Sequence, residues 1–138
     1  MINNIKQALA LKLKSLYSSC TIYDEDIPQN FKKPSFLISV IDHSYNKRLS
    51  NTYNSTLSID IAYFSSKSNT EIKSDCLVVQ QNLLRELDLL DSFRILDKHA
   101  TITDNILHLT LNVRYSEIVN VEEIKIKELE ANTSMKEV

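Results

Sequence analysis

The chain contains no glycine at all in its 138 residues, where average usage would supply about ten. Several common ligand motifs are built on glycine, because only glycine lets the backbone turn sharply against a phosphate or a nucleophile. Walker loops, dinucleotide-binding fingerprints and nucleophile elbows are therefore excluded. Tight turns in this chain must instead use asparagine or aspartate, which tolerate positive φ better than most residues.

Composition indicates one compact domain, since 43% of the residues are hydrophobic and 25% are charged. The formal net charge of -2 argues against nucleic acid or an anionic membrane as the default partner. The two cysteines, Cys20 and Cys76, form no C-x-x-C pair. Lys6, Lys12 and Lys14 interrupt the first apolar stretch, so we expect that no signal peptide is present. We therefore expect both cysteines to be free thiols in a reducing cytoplasm.

The first half of the chain predicts one helix and a long hairpin. Apolar residues at steps of three or four, from Ile2 to Leu16, predict an amphipathic helix. A short β run follows at Thr21–Tyr23, and then an acidic loop with two prolines. The run Ser35–Ile41 is apolar on both faces, and Tyr53–Tyr63 alternates cleanly. These two runs predict an antiparallel hairpin with Tyr45–Thr52 as its mobile tip.

The second half predicts another helix and another hairpin. Ser68 and Glu71 fit a capping box, and apolar residues then recur at helical spacing from Ile72 to Leu90. Two strands flank a type I′ turn at Asp104–Asn105. A last strand is predicted at Val121–Lys127. The fold class is therefore α+β, with an antiparallel or mixed sheet of two long hairpins and two helices packed on one face. Residues 1–127 form the predicted domain, and 128–138 form a polar, flexible tail.

No constellation of catalytic or metal-binding residues is predicted. His43 lies in a connector, and His99 and His108 lie on the two strands of the second hairpin; none has zinc-site spacing. A turn at Asp104–Asn105 sets position 99 roughly opposite 110 and position 108 opposite 101, so the two histidines do not face each other. Cys76 lies on the apolar stripe of a helix, where a buried thiol is favoured over a nucleophile. The acidic run from Asp24 to Asp26 lacks the glycine and terminal glutamate of a calcium loop. We therefore predict no enzyme and no cofactor.

The long hairpin is the candidate functional site. Its second strand carries a regular polar face, from Asn54 to Asp60, that is longer than a small domain needs. Tyrosine and arginine are enriched where proteins meet, and both occur around the hairpin tip. We weigh an ordinary solvent-facing hairpin evenly against a subunit or tube interface made by Tyr45, Lys47, Arg48 and Tyr53.

Several local strings resemble the tail terminator proteins of phages and phage-like elements of Gram-positive bacteria. The resemblance covers most of residues 1–121, where a helix leads to a tyrosine-containing β run, an acidic loop and a Q-x-F-x-x-P-S/C-F stretch. The family's D-G turn corresponds to Asp104–Asn105, which departs from that pattern. The matching residues are Ile22, Tyr23, Gln29, Phe31, Pro34, Ser35, Phe36, Tyr63 and Phe64.

This resemblance implies a structural protein that assembles as a ring, with a hexamer as the expected form. The ring would cap the head-proximal end of the tail tube and stop its polymerisation, in a complete phage or in a headless, prophage-encoded tailocin. The implied partners are identical subunits, the tail tube protein, and sheath or head–tail connector proteins. Nucleic acid enters only as DNA passing through the lumen. The implied location is the host bacterial cytoplasm during assembly, and then the particle.

Three alternatives stay open. The chain could be a small nucleic-acid-binding α+β domain that uses Tyr45, Lys47, Arg48 and Tyr53, because aromatic rings beside cations bind single strands. It could be another head–tail connector or completion protein. An enzyme with His99 or His108 as base is the least supported.

Overall fold

A computed structural model describes residues 2–49, 51–90 and 93–118. It confirms the α+β class, with two helices and six strands in the described part of the chain. These elements are α1 (Ile2–Leu16), β1 (Thr21–Asp24), β2 (Ser35–Lys47), β3 (Thr52–Phe64), α2 (Ile72–Glu86), β4 (Leu89–Leu90), β5 (Phe93–Thr103) and β6 (Ile106–Ile118). The predicted strand Val121–Lys127 and the tail 128–138 lie outside the described residues.

All six strands form one mixed sheet in the order β1-β2-β3-β6-β5-β4. Only β1 and β2 pair in parallel, while β2–β3 and β5–β6 are the two predicted hairpins. The two hairpins meet through β3 and β6, which pair along their whole length from Thr52–Ile118 to Phe64–Ile106. The polar face and the apolar face of the sheet therefore run across both hairpins without interruption.

The core lies between one face of the sheet and both helices. Alternate residues of β3 and β6, such as Ile59 and Leu111, point into it because strand side chains alternate between faces. The helices contribute residues at helical spacing. From α1 these are Ile5, Leu9 and Leu13, and from α2 they are Cys76, Val79 and Leu83. Cys20 is buried beside them, and both cysteines are free thiols, as predicted.

The start and the end of α2 differ from the prediction. Glu71 is the N-cap residue and makes no side-chain capping bond, so the predicted capping box does not form. Instead, the carbonyl of Ser68 accepts the N–H groups of Glu71 and Ile72 at 2.8 and 3.0 Å. The helix ends at Glu86, and Leu90 is buried as a strand residue that pairs with Phe93. Helical spacing alone could not separate these two ways of burying Leu90.

Acidic residues and one asparagine take the positions that glycine would usually occupy. Asp104 and Asn105 have φ of 52° and 63°, which confirms the predicted turn. Asp97, at a bulge in β5, has φ of 53°, and Glu25 after β1 has φ of 62°. Short polar side chains are the non-glycine residues most often found in this region, whereas glutamate is uncommon there. None of the helices in residues 2–118 that the structure describes is long and apolar enough to cross a membrane.

Candidate functional site on the long hairpin

The outer half of β2, the first strand of the long hairpin, is exposed. In β2 the residues up to Val40 are buried or half-buried, whereas Ile41 to Lys47 are exposed. Pairing with β3 nevertheless continues to Lys47 opposite Tyr53, and the N–H of Arg48 donates to the carbonyl of Thr52 at 2.6 Å. The tip is therefore shorter than the predicted Tyr45–Thr52, because β2 extends to Lys47 and β3 begins at Thr52.

One face of this outer half is aromatic. Register places Tyr45 opposite Ser55 and Ser55 opposite Tyr115, on three adjacent strands. The rings of Tyr45 and Tyr53 stack at 5.0 Å, and His43 stacks on Tyr115 at 6.4 Å. We call these four residues, His43, Tyr45, Tyr53 and Tyr115, the tyrosine face. Tyr45, at 49%, and His43 are exposed, whereas Tyr53 is half-buried and Tyr115 is buried at the edge of the core.

A cleft separates the tyrosine face from the first turn of α1. Its volume is about 440 Å³, and its lining comprises Ile2, Asn3, His43, Tyr45, Tyr115 and Glu117. Partial burial, and then the negative charge of Glu117, raise the pKa of the Tyr45 phenol. A phenol, which is protonated at neutral pH in any tyrosine of ordinary or raised pKa, can both donate and accept a hydrogen bond. An aromatic recess with polar rims is typical of a protein-contact surface.

The opposite face of the hairpin is polar and carries two arginines. A second pocket, of about 520 Å³, is lined by Arg48 and Arg114 together with Asn46, Asn54, Ser55, Thr56, Tyr115 and Ser116. The hydroxyl of Ser116 donates to Asn54 Oδ1 at 2.8 Å, which links β6 to β3 on this face. The guanidinium groups make the pocket suited to carboxylates or other anionic groups.

The four residues predicted for the interface are thus divided between two faces. Tyr45 and Tyr53 stack on each other, and Lys47 lies opposite Tyr53 in the register. Arg48 lines the polar pocket on the other side. Sequence reasoning missed Tyr115 and Arg114, because it could not know that β6 pairs with β3. The alternation of residues in β6 could have predicted part of this arrangement, since it places Tyr115 and Arg114 on opposite faces of the strand.

The histidines have structural surroundings. His43 lies in β2 rather than in a connector, because the strand is longer than predicted, and its Nε2 is 3.3 Å from Tyr115 Oη. His108 Nδ1 is 3.2 Å from Asp60 Oδ2. His99 pairs with Thr110 and therefore does not face His108. This is the arrangement predicted from the position of the turn. Within residues 2–118 as described, no three histidine, cysteine or acidic side chains group as metal ligands.

The acidic run after β1 binds a lysine of the same chain. Lys6 Nζ on α1 lies 2.8 Å from Asp24 Oδ1 and 2.6 Å from Glu25 Oε1. The hydrogen bond from Lys6, together with one from the N–H of Val40, lowers the pKa of Glu25. Burial raises the pKa of both cysteine thiols, which therefore stay protonated and unreactive at neutral pH.

The fold is that of a small α+β protein with a long β2–β3 hairpin, whose first strand is exposed in its outer half. A sequence profile described as phage tail terminator protein matches residues 4–125, and the chain belongs to that family. The resemblance noted in the sequence is thereby confirmed, and the role it gives the chain is a structural one. No curated protein matches the sequence significantly.

The alignment with one solved structure, whose title states no function, covers 87% of this chain and 96% of the chain in that structure. It has 8% sequence identity and a TM-score of 0.35. A likeness at this level carries no argument about function.

Proposed function

We propose that this tail terminator forms a closed ring on the head-proximal end of the tail tube and blocks further addition of tube subunits. In this proposal the protein performs no chemistry and acts by shape. Its ring matches the last layer of the tube on one side and presents no tube-like surface on the other. Membership of the family supports the structural role.

The observation that carries the proposal is the exposed outer half of β2 in the long hairpin. An isolated two-stranded hairpin is marginally stable, whereas here Tyr45 and Tyr53 stack and β3 also pairs with β6 up to Ile118. Its stiffness limits the ordering entropy that a partner would have to overcome. We therefore assign Tyr45, Lys47 and Tyr53 to the contact with a neighbouring subunit or with the tube.

Ring closure requires two different surfaces on each subunit, because a head-to-tail contact joins unlike patches. The tyrosine face supplies one aromatic patch, and the pocket with Arg48 and Arg114 supplies a cationic one on the opposite side of the hairpin. The two patches adjoin, since Tyr115 lines both pockets, while alternation along β6 places Tyr115 and Arg114 on opposite faces of the sheet. One subunit can therefore contact a neighbour or the tube on each side of the hairpin.

The proposal is tested with purified full-length chain and the tail tube protein of the same particle. Light scattering after size exclusion should give an integral multiple of the subunit mass, with six as the expected number, and negative-stain images should show rings. Tubes grown with the protein present should be shorter and should carry a ring at one end. A strict monomer that leaves tube length unchanged would overturn the proposal. A ring that binds only head–tail connector proteins would assign the chain to the connector alternative instead.

A further inference from the structure

The outer edge of β2 is covered along only part of its length. Strand β1 pairs with Ser35 to Ile38, and Glu25 Oε1 accepts the N–H of Val40 at 2.9 Å. Beyond that point, in the part of the chain that the structure describes, no strand lies beside residues 41–47 on the side away from β3. These seven residues contain no proline. The register with β3 shifts between Val40 and Asp42, and residues 42–47 then pair without interruption. An exposed strand edge of this kind can accept a further strand.

The sequence after Ile118 contains a segment that fits this edge. The alternation that predicts a strand at Val121–Lys127 also covers seven residues, and the family match extends to residue 125. Charge favours an antiparallel arrangement. It would bring Glu122 and Glu123 to the end of the edge that carries Lys47 and Arg48, and would bring the lysines at 125 and 127 to the end near Asp42.

In an antiparallel register that sets residue 121 beside Lys47, the segment would be too short to reach the edge of its own subunit. Ile118 pairs with Thr52 of β3, and β2 lies on the far side of β3, so a new strand beyond β2 would be three strand spacings from β6. Three spacings amount to about 14 Å. The three residue steps from Ile118 to Val121 extend to about 10 Å at most, and the chain would also have to pass around the hairpin tip.

We propose that residues 121–127 of one subunit pair antiparallel with residues 41–47 of a second copy, adding a strand to the neighbour's sheet. This inference rests on the proposed ring, for which it names one contact. The contact is head-to-tail, since the edge and the segment are different parts of the chain, and it can close a ring. Backbone hydrogen bonds would supply much of the affinity, and the end charges would set the register.

The test uses the full-length chain with Ile124→Pro, because proline cannot donate to a strand ladder. Ala131→Pro is the matched control outside the predicted strand. We expect the control to keep the oligomer mass in light scattering and the Ile124→Pro chain to run as a single subunit. Both should keep the circular dichroism spectrum and melting temperature of the unsubstituted protein. An Ile124→Pro chain that retains the oligomer mass overturns strand exchange and leaves the ring in place.

A second measurement uses a fluorescent peptide of residues 119–130 and the Ile124→Pro chain, whose β2 edge is then free. Saturable binding is expected, with affinity reduced about tenfold or more when the peptide carries the same proline. No binding overturns the inference. An open polymer or a dimer that Ile124→Pro breaks would support strand exchange and overturn the closed ring. A monomeric unsubstituted chain would overturn both.

Discussion

The rings of Tyr45 and Tyr53 lie nearly parallel, with an interplanar angle of 7° and centroids 5.0 Å apart. The two residues are diagonal neighbours on β2 and β3, since Tyr45 pairs with Ser55 and Tyr53 pairs with Lys47. Aromatic side chains can bridge such diagonal positions across a ladder. The stack therefore fixes the orientation of the two rings relative to each other within the single chain.

The first prediction concerns this stack. Tyr45→Ala should weaken self-association by about tenfold or more, because aromatic residues near the centre of an interface carry a large share of its affinity. The fold should persist, since the ring lies outside the core. Light scattering over a range of concentrations gives the association, and thermal melting checks the fold. Lys67→Ala, an exposed residue beyond the other end of β3, is the control. Equal association of both variants would remove Tyr45 from the interface.

The second prediction concerns a buried hydroxyl under the tyrosine face. Ser55 is 3% exposed, and its Oγ has no hydrogen-bond partner among the described residues. A buried polar group without a partner costs about 1–3 kcal/mol. Ser55→Ala should therefore leave stability unchanged or raise it by about 1 kcal/mol in urea unfolding. Ser58→Ala is the matched control and should lose about 1 kcal/mol, because Ser58 Oγ donates to Asn112 Oδ1 at 2.7 Å. A clear loss in Ser55→Ala would show that the hydroxyl has a partner.

The third prediction concerns the junction of β3 and α2. Tyr63 Oη donates to Asp75 Oδ2 at 2.7 Å, and Ser65 Oγ donates to the same oxygen at 2.5 Å. Tyr63→Phe should cost about 1–3 kcal/mol of unfolding free energy, since the acceptor is charged and partly buried. Tyr115→Phe should cost less, because its hydroxyl lies 3.3 Å from His43 Nε2. Urea titrations measure both, and equal losses would contradict the ranking.

The fourth prediction is the pH dependence of that junction. Burial, and then the hydrogen bond to Asp75, raise the pKa of Tyr63 far above its usual range. An unfolded tyrosine ionises near pH 10. Above about pH 10 the unfolded chain therefore releases a proton that the folded chain keeps, so stability falls as the pH rises. The stability gap between the unsubstituted chain and Tyr63→Phe should narrow from pH 9 to pH 11. A constant gap over this range would contradict the raised pKa.

Local patterns in the sequence predicted the elements well, and the pairing of distant strands less well. Apolar spacing identified both helices, and alternating runs, with one run apolar on both faces at Ser35–Ile41, identified the two hairpins, because each pattern reports which side of an element is buried. The register of β5 and β6 followed from one turn, so His99 opposite Thr110 was predictable. The pairing of β3 with β6 joins residues far apart in sequence, and no local pattern specifies it. For that reason Tyr45 and Tyr53 were predicted as contact residues, whereas Tyr115 and Arg114 were not.

The fifth prediction concerns Asn105, which adopts a backbone conformation that usually favours glycine. Asn105 has φ of 63° in the turn between β5 and β6. Glycine adopts this conformation without a Cβ penalty, and asparagine followed by glycine is the strongest signal for this turn. Asn105→Gly should therefore leave stability unchanged or raise it by up to about 1 kcal/mol, whereas Asn105→Ala should lose about 1 kcal/mol.

The control is Asn46→Gly inside the β2 ladder, where glycine should lower the free energy of unfolding by about 0.5–1 kcal/mol. Glycine loses more conformational entropy in a strand than other residues do, and position 46 lies outside the turn. Thermal or urea unfolding of the three variants gives the comparison. The same substitution should thus have opposite effects at the two asparagines. If Asn105→Gly were as destabilising as Asn46→Gly, the Asn105 side chain, rather than its backbone conformation, would be what holds the turn.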